Sequence, residues 1–174
     1  MAVHQGNITA ALALASAGIK IFPAGSDKRP LLKGWQDAAT CNADQINIWF
    51  ERAAALPAIP CGPNNLLVVD CDRHSGGPDG VAAFKSLVAA NGALPLQMPL
   101  VKTPNGGLHL YFRQPQGEAL GNGRGSLPAG IDVRGAGRKL AGWTRLDSGA
   151  GTCRHQRCAA TAAMARRHTA PTAA

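Results

Sequence analysis

Apolar and polar positions along this chain follow periods that change several times, and each change marks an element. Residues 7–17 carry an Ala/Leu-rich helical pattern that Gly18 ends. Polar Asn7 and Thr9 read as its starters. The alternative, a signal peptide, lacks a basic region ahead of the apolar stretch. "IKIF" at 19–22 reads as a short strand, and "PAGSDKRPLLKGW" as a basic, proline-punctuated loop. Asn42 with Gln45 resembles a capping box, after which Ile46, Trp49, Phe50 and Ala53 share one helical face.

Further on, "AIPCGPNNLLVVDCD" predicts a short strand, a turn at Gly62 to Asn65 and a second strand from residue 66. Pro78 and Asp79 open a helix that buries Val81, Phe84, Leu87 and Val88 and stops at Asn91 and Gly92. Two extended runs flank Asn-Gly in "MPLVKTPNGGLHLYFRQP", a hairpin signal. The Gly-rich "GEALGNGRGSLPAG" then leads to a last short strand, "IDVRG". This order predicts an α+β fold, a mostly antiparallel or mixed sheet with helices on its outside. Residues 141–174 keep no sustained period and are rich in Ala, Thr and Arg. We therefore expect a domain over 1–140 and a disordered tail over 141–174.

Composition narrows the class. A chain of 174 residues, 45% apolar, suits one globular domain. No apolar run approaches the roughly 18 residues of a membrane span, so no membrane partner is expected. Five cysteines, with Cys41, Cys61 and Cys71 in or beside core elements, point to reduced thiols in a cytoplasm. Cys153 and Cys158 lack the spacing and the second pair of a zinc site. The net charge of +8 suggests a polyanionic partner such as nucleic acid or nucleotides. Residues 1–140 hold 13 Lys/Arg against 9 Asp/Glu and the tail 5 against 1, so half of that excess lies outside the expected domain.

The chemistry concentrates where "LLVVDCD" ends an apolar strand in two acids. A carboxylate at a core edge is costly without a cation beside it. Alternation puts Asp70 and Asp72 on one face, with Cα atoms about 7 Å apart. Two such carboxylates can converge on Mg²⁺ or Mn²⁺, hard ions that prefer oxygen. Strand-end acids in water, paired with Arg73 or Lys85, fit the same pattern. His74 and Val81 stand where an EF-hand needs oxygen ligands, and Arg73 and His74 replace the Thr expected after a phosphatase aspartate. His109 shares the polar face of its strand with Tyr111 and Arg113, opposite Leu108, Leu110 and Phe112. It could donate to a phosphate or stand half-exposed without a role. Asp132, with Arg134 on the same face, suits a metal ligand or a simple ion pair. No Walker-type phosphate loop is present, and "GNGRG" lacks a strand-to-helix setting.

Taken in order, "PAGSDKRPLLKGWQDAAT", "IPCGP", "LLVVDCD", "GGLHLYF" and "GIDVRG" resemble the bifunctional primase–polymerase (Prim-Pol) N-terminal domain of the archaeo-eukaryotic primase superfamily, over about residues 8 to 139. The resemblance implies an RRM-like sheet joined to a small α/β unit, with the active site between them. It implies that Asp70, Asp72 and Asp132 are the catalytic residues and bind Mg²⁺ or Mn²⁺ in a two-metal site. His109 would contact the nucleotide's phosphates, in a motif where Gly107 replaces the serine of many members. Arg134, with Lys28, Arg29 and Lys33, would add positive charge around the triphosphate; for the last three a solvated loop fits equally. The implied partners are a single-stranded DNA template, nucleoside triphosphates and a replicative helicase, in phage or plasmid-type replication. After residue 140 the sequence departs from the family pattern, as though the last strand were missing and a sheet edge left open. That leaves two alternatives: a truncated relic that binds nucleotide or single-stranded DNA without catalysis, and another D-x-D metal enzyme such as a glycosyltransferase.

Overall fold

The computed structural model describes residues 2–92, 99–117, 119–123, 127–136 and 143–145, with the side chains of 2–4 and 143–145 left aside. Helix α1 (Ala2–Ser16) begins ahead of Asn7, so Asn7 and Thr9 are interior positions. Asn7 is buried, and its Nδ2 donates to the Ala55 carbonyl at 2.9 Å. The polar residue that looked like a helix start is a tether to the connection just ahead of residue 56.

Strand β1 (Phe22–Ala24) starts later than the sequence suggests, because Ile21 makes an isolated bridge to Thr40 instead of joining the ladder. A short helix, α2 (Trp35–Ala38), follows the basic loop. Helix α3 (Ala43–Arg52) forms as its pattern predicts: Asn42 Oδ1 accepts from the Gln45 N–H at 2.9 Å, and Ile46 and Phe50 are buried. Then come β2 (Leu56–Pro60), a 3-10 turn at Gly62–Asn64 and β3 (Leu66–Cys71). Helix α4 (Gly80–Asn91) is capped by Asp79 and ended at Gly92, whose φ of 110° suits glycine. Strands β4 (Leu100–Lys102) and β5 (Leu108–Arg113) form the expected hairpin, and β6 (Ile131–Arg134) and β7 (Trp143–Arg145) follow.

The strands form two antiparallel sheets, ordered β1-β2-β7 and β4-β5-β3-β6. Strand β7 corrects one expectation. Residues 143–145 pair with β2 and cover the edge that the tail was expected to leave open. Residues 146–174, with Cys153 and Cys158, lie outside the described residues.

Strand β3 runs through the middle of the larger sheet, and its pleat divides two cores. Cys71, with Val69, packs with Leu110 and Ile131 beneath Val81, Phe84 and Leu87 of α4. Leu66 and Val68 turn the other way, joining Tyr111 in a core with Ala11, Leu14, Ile46, Phe50 and Ile59 of the smaller unit. Both faces are covered, which is why "LLVV" reads as an unbroken apolar run. Fully buried side chains such as Ile46, Phe50, Leu110 and Ile131 each contribute about 1.5–3 kcal/mol. Two packed layers therefore hold β3 still up to the residue where its polar face begins.

Candidate active site

That residue is Asp70. It lies on the same face as Val68, and the register sets it opposite His109 of β5 on one side and Asp132 of β6 on the other. Directly opposed residues on adjacent strands hold their Cβ atoms about 4.5–5.5 Å apart, so the ladder itself aligns three side chains in a row. His109 Nε2 stands 3.2 Å from Asp70 Oδ1. Arg134 shares the face of Asp132, and its Nη2 reaches to 3.7 Å from Asp70 Oδ2 and 3.5 Å from Asp132 Oδ2. The side chains of Asp70 and His109 are 14% and 15% exposed, against 39% for Arg134. The sheet thus carries two adjacent acids flanked by an imidazole and a guanidinium, and the cluster opens to solvent at its arginine.

Burial opposes the charged form of Asp70, but His109 and Arg134 together outweigh it and hold its pKa below the ordinary value. The His109 imidazole, 3.2 Å away, is the largest of the influences that favour the carboxylate. Asp70 Oδ1 is buried, and this contact falls outside strict hydrogen-bond geometry. A buried carboxylate oxygen with unused lone pairs suits a hard divalent cation. The neighbouring thiols do not compete for that role: burial pushes Cys61 up to about 12 against the pull of Arg134, and burial with Asp70 and Asp72 pushes Cys71 up to about 12. Neutral thiols are poor metal ligands. Among the described residues no three His, Cys, Asp or Glu side chains form a ready metal cluster; Arg134 stands between the two carboxylates of the row.

Asp72 sits just beyond the end of β3, with its side chain 40% exposed and Oδ2 3.9 Å from His74 Nε2. Its backbone is fixed on both sides. The Asp72 N–H donates to the Gly130 carbonyl at 2.8 Å, and its carbonyl accepts from the Gly80 N–H at 2.9 Å. A Cβ on Gly80 would stand 2.0 Å from the Gly130 oxygen, so this approach admits only glycine. Arg73 pairs with neither acid of the motif. Its Nε and Nη2 donate to Asp79 Oδ2 at 2.9 and 2.6 Å, while Asp79 Oδ1 accepts from the Ala82 N–H. The strand exit is clipped to the helix that supports the sheet.

Comparison with known families matches residues 11–168 to Prim-Pol, described as bifunctional DNA primase/polymerase, N-terminal. The chain belongs to the Prim-Pol family. No individual curated protein matches it in sequence. The Prim-Pol match runs past residue 140 and takes in β7, so the family likeness extends into the segment read as divergent.

Within this Prim-Pol chain the motif glycine has a structural reason. A Cβ at Gly107 would stand 2.6 Å from the Cys71 carbonyl and 2.8 Å from Thr103 Oγ1. A serine has no room there, and Thr103 supplies the hydroxyl nearest that spot.

The basic loop contributes differently. Arg29 pairs with Asp27 at 3.8 Å, and Lys28 occupies the left-handed region at φ 65° in a turn closed onto the Gly25 carbonyl. Lys33 lines an open groove of about 670 Å³ with Leu32, Thr40, Gln45, Ile48 and Trp49. None of the three cations makes an ion pair with Asp70, Asp72 or Asp132. Sequence reasoning missed the Arg73–Asp79 clip and the Gly80–Gly130 contact. "PDG" was legible as a helix start, but nothing local says that its aspartate also receives the arginine after the second motif acid.

Proposed function

We propose that this chain is a catalytic domain performing template-directed nucleotidyl transfer on single-stranded DNA, with Asp70, His109, Asp132 and Arg134 as the centre of its site. The observation that carries the reading is the row itself: three adjacent strands of a Prim-Pol chain place two carboxylates, a histidine and an arginine together. In this reaction a primer 3′-hydroxyl displaces pyrophosphate from a nucleoside triphosphate; one P–O bond forms, another breaks and the hydroxyl loses its proton.

Asp70 and Asp132 in the row, with Asp72 at the strand exit, would hold Mg²⁺ or Mn²⁺. When bound, such ions lower the pKa of the attacking hydroxyl and neutralise charge on the phosphates. The chain's own groups position and balance the substrate. His109 and Arg134 offer donors to the triphosphate, and Arg134 can do so with a planar fork. The two buried cores keep the row from shifting as charge moves. The thiols of Cys41, Cys61 and Cys71 suit a reducing cytoplasm, and the setting we infer is phage or plasmid-type replication beside a helicase.

The test is incorporation of labelled nucleotides on primed and unprimed single-stranded templates with Mn²⁺ or Mg²⁺. Wild type should extend the primer, and Asp70→Asn should lose at least about a hundredfold in rate. A folded wild-type chain that incorporates nothing, yet binds single-stranded DNA with salt-dependent affinity, would establish the binding-only alternative instead.

A further inference from the structure

Arg134 stands across the two carboxylates that a divalent ion would join. Its Nη2 lies 3.7 Å from Asp70 Oδ2 and 3.5 Å from Asp132 Oδ2. Two carboxylates on opposed residues of neighbouring strands repel one another unless a cation lies between them. In this structure the guanidinium is that cation. The contacts are those of a loose ion pair, longer than the 2.7–2.9 Å of a tight charged hydrogen bond. Arg134 is also at the open end of the row, 39% exposed, where a long side chain has room to turn.

We propose that Arg134 is an exchangeable counter-ion: it balances Asp70 and Asp132 in the free protein, yields them to the divalent ion, and passes to the triphosphate of the incoming nucleotide. This rests on the nucleotidyl-transfer reading and adds a coupling to it. Metal alone must compete with Arg134 for the same oxygens. A triphosphate that engages the guanidinium removes the competitor, so each ligand favours the other. The arginine counted as one more phosphate contact is thereby also the device that links metal binding to nucleotide binding.

The test reads Mn²⁺ binding directly, by electron paramagnetic resonance of the free ion, with the whole chain and no nucleotide present. Arg134→Gln should bind Mn²⁺ at least about fivefold more tightly than wild type. It should also lose affinity for a non-hydrolysable deoxynucleoside triphosphate measured in chelator. Equal or weaker Mn²⁺ binding in Arg134→Gln overturns the exchange and makes the arginine a fixed partner that positions the carboxylates. That outcome leaves the transferase reading intact, provided that wild type binds Mn²⁺ and Asp70→Asn does not. Absence of Mn²⁺ binding in wild type and Arg134→Gln alike overturns both. A second measurement avoids the variant's folding: in the wild type, Mg²⁺ should shift the Nε–Hε resonance of Arg134, and an unmoved resonance overturns the exchange.

Discussion

The charged row on β3 and the basic loop at residues 25–34 each gather several ionisable side chains, yet they are built on different constraints. On β3 the partners come from three strands, and antiparallel pairing fixes which residues oppose which: Asp70 meets His109 and Asp132 because the ladder allows no other match. In the loop the cations are close in sequence but follow local turns, Arg29 to Asp27 and Lys28 into a left-handed turn. Proximity along the chain therefore predicts little about convergence, whereas shared register across a sheet predicts a great deal. Burial follows the same division. Asp70 is held between two cores, while Arg29 and Asp27 stay solvated.

The widest separation between the two regions should appear in activity. Asp70→Asn is expected to cost about 3 kcal/mol or more of transition-state stabilisation, whereas Lys28→Ala with Arg29→Ala should change nucleotide incorporation by no more than about fivefold. Comparable losses in the two variants, measured side by side on one primed template, would break the contrast. Next in size is Gly80→Ala. The added methyl meets the Gly130 carbonyl behind Asp72, so the fold should lose about 3 kcal/mol. Its melting temperature should then drop by roughly 10 °C. An unchanged melting curve would show that the strand exit is as yielding as the loop.

A smaller effect should be visible in acid. Arg73 first, and then the Ala82 N–H, hold the Asp79 carboxyl at about 2 instead of 3.8. A depressed carboxyl stabilises the fold fully above its unfolded value and ceases to do so as pH falls through the folded one. Asp79→Asn keeps an effective helix cap but loses the charge. The stability gap between it and wild type should therefore close between pH 3.8 and about 2, followed by urea unfolding at each pH. A gap that stays constant over that range would remove the ion pair from the account of the strand exit. Smallest of all is Lys28→Gly, where the lost charge costs nothing local and glycine accepts φ 65° freely. Stability within about 0.5 kcal/mol of wild type, by thermal melting, is the expected outcome.

Much of the site was legible because its signals are short-range. Alternation alone separates His109 from Leu108 and Leu110, and Asp132 with Arg134 from their apolar neighbours; the cores on either side of the sheet follow that division. The N-caps at Asn42 and Asp79 were equally readable, since a cap is decided within four residues. Asn7 misled because a polar residue near an apolar run has two uses, as a cap or as a buried tether. Choosing between them needs Ala55, 48 residues away. Strand β7 went unread for a similar reason. Three residues without a strong period become a strand because β2 offers them an unpaired edge.

From sequence, then, came the elements, the division of β3, β5 and β6 into two faces, and the family order of motifs; that Tyr111, on the face read as polar, is buried in a core came from the structure. Periodicity, caps and turn residues act over a few positions and need no knowledge of distant chain. Tertiary structure decided which polar faces meet, that Arg134 is the cation between Asp70 and Asp132, and that Arg73 serves Asp79 rather than the motif acids. Those choices depend on register and on packing between segments far apart in the chain, where an ångström separates a partner from a bystander.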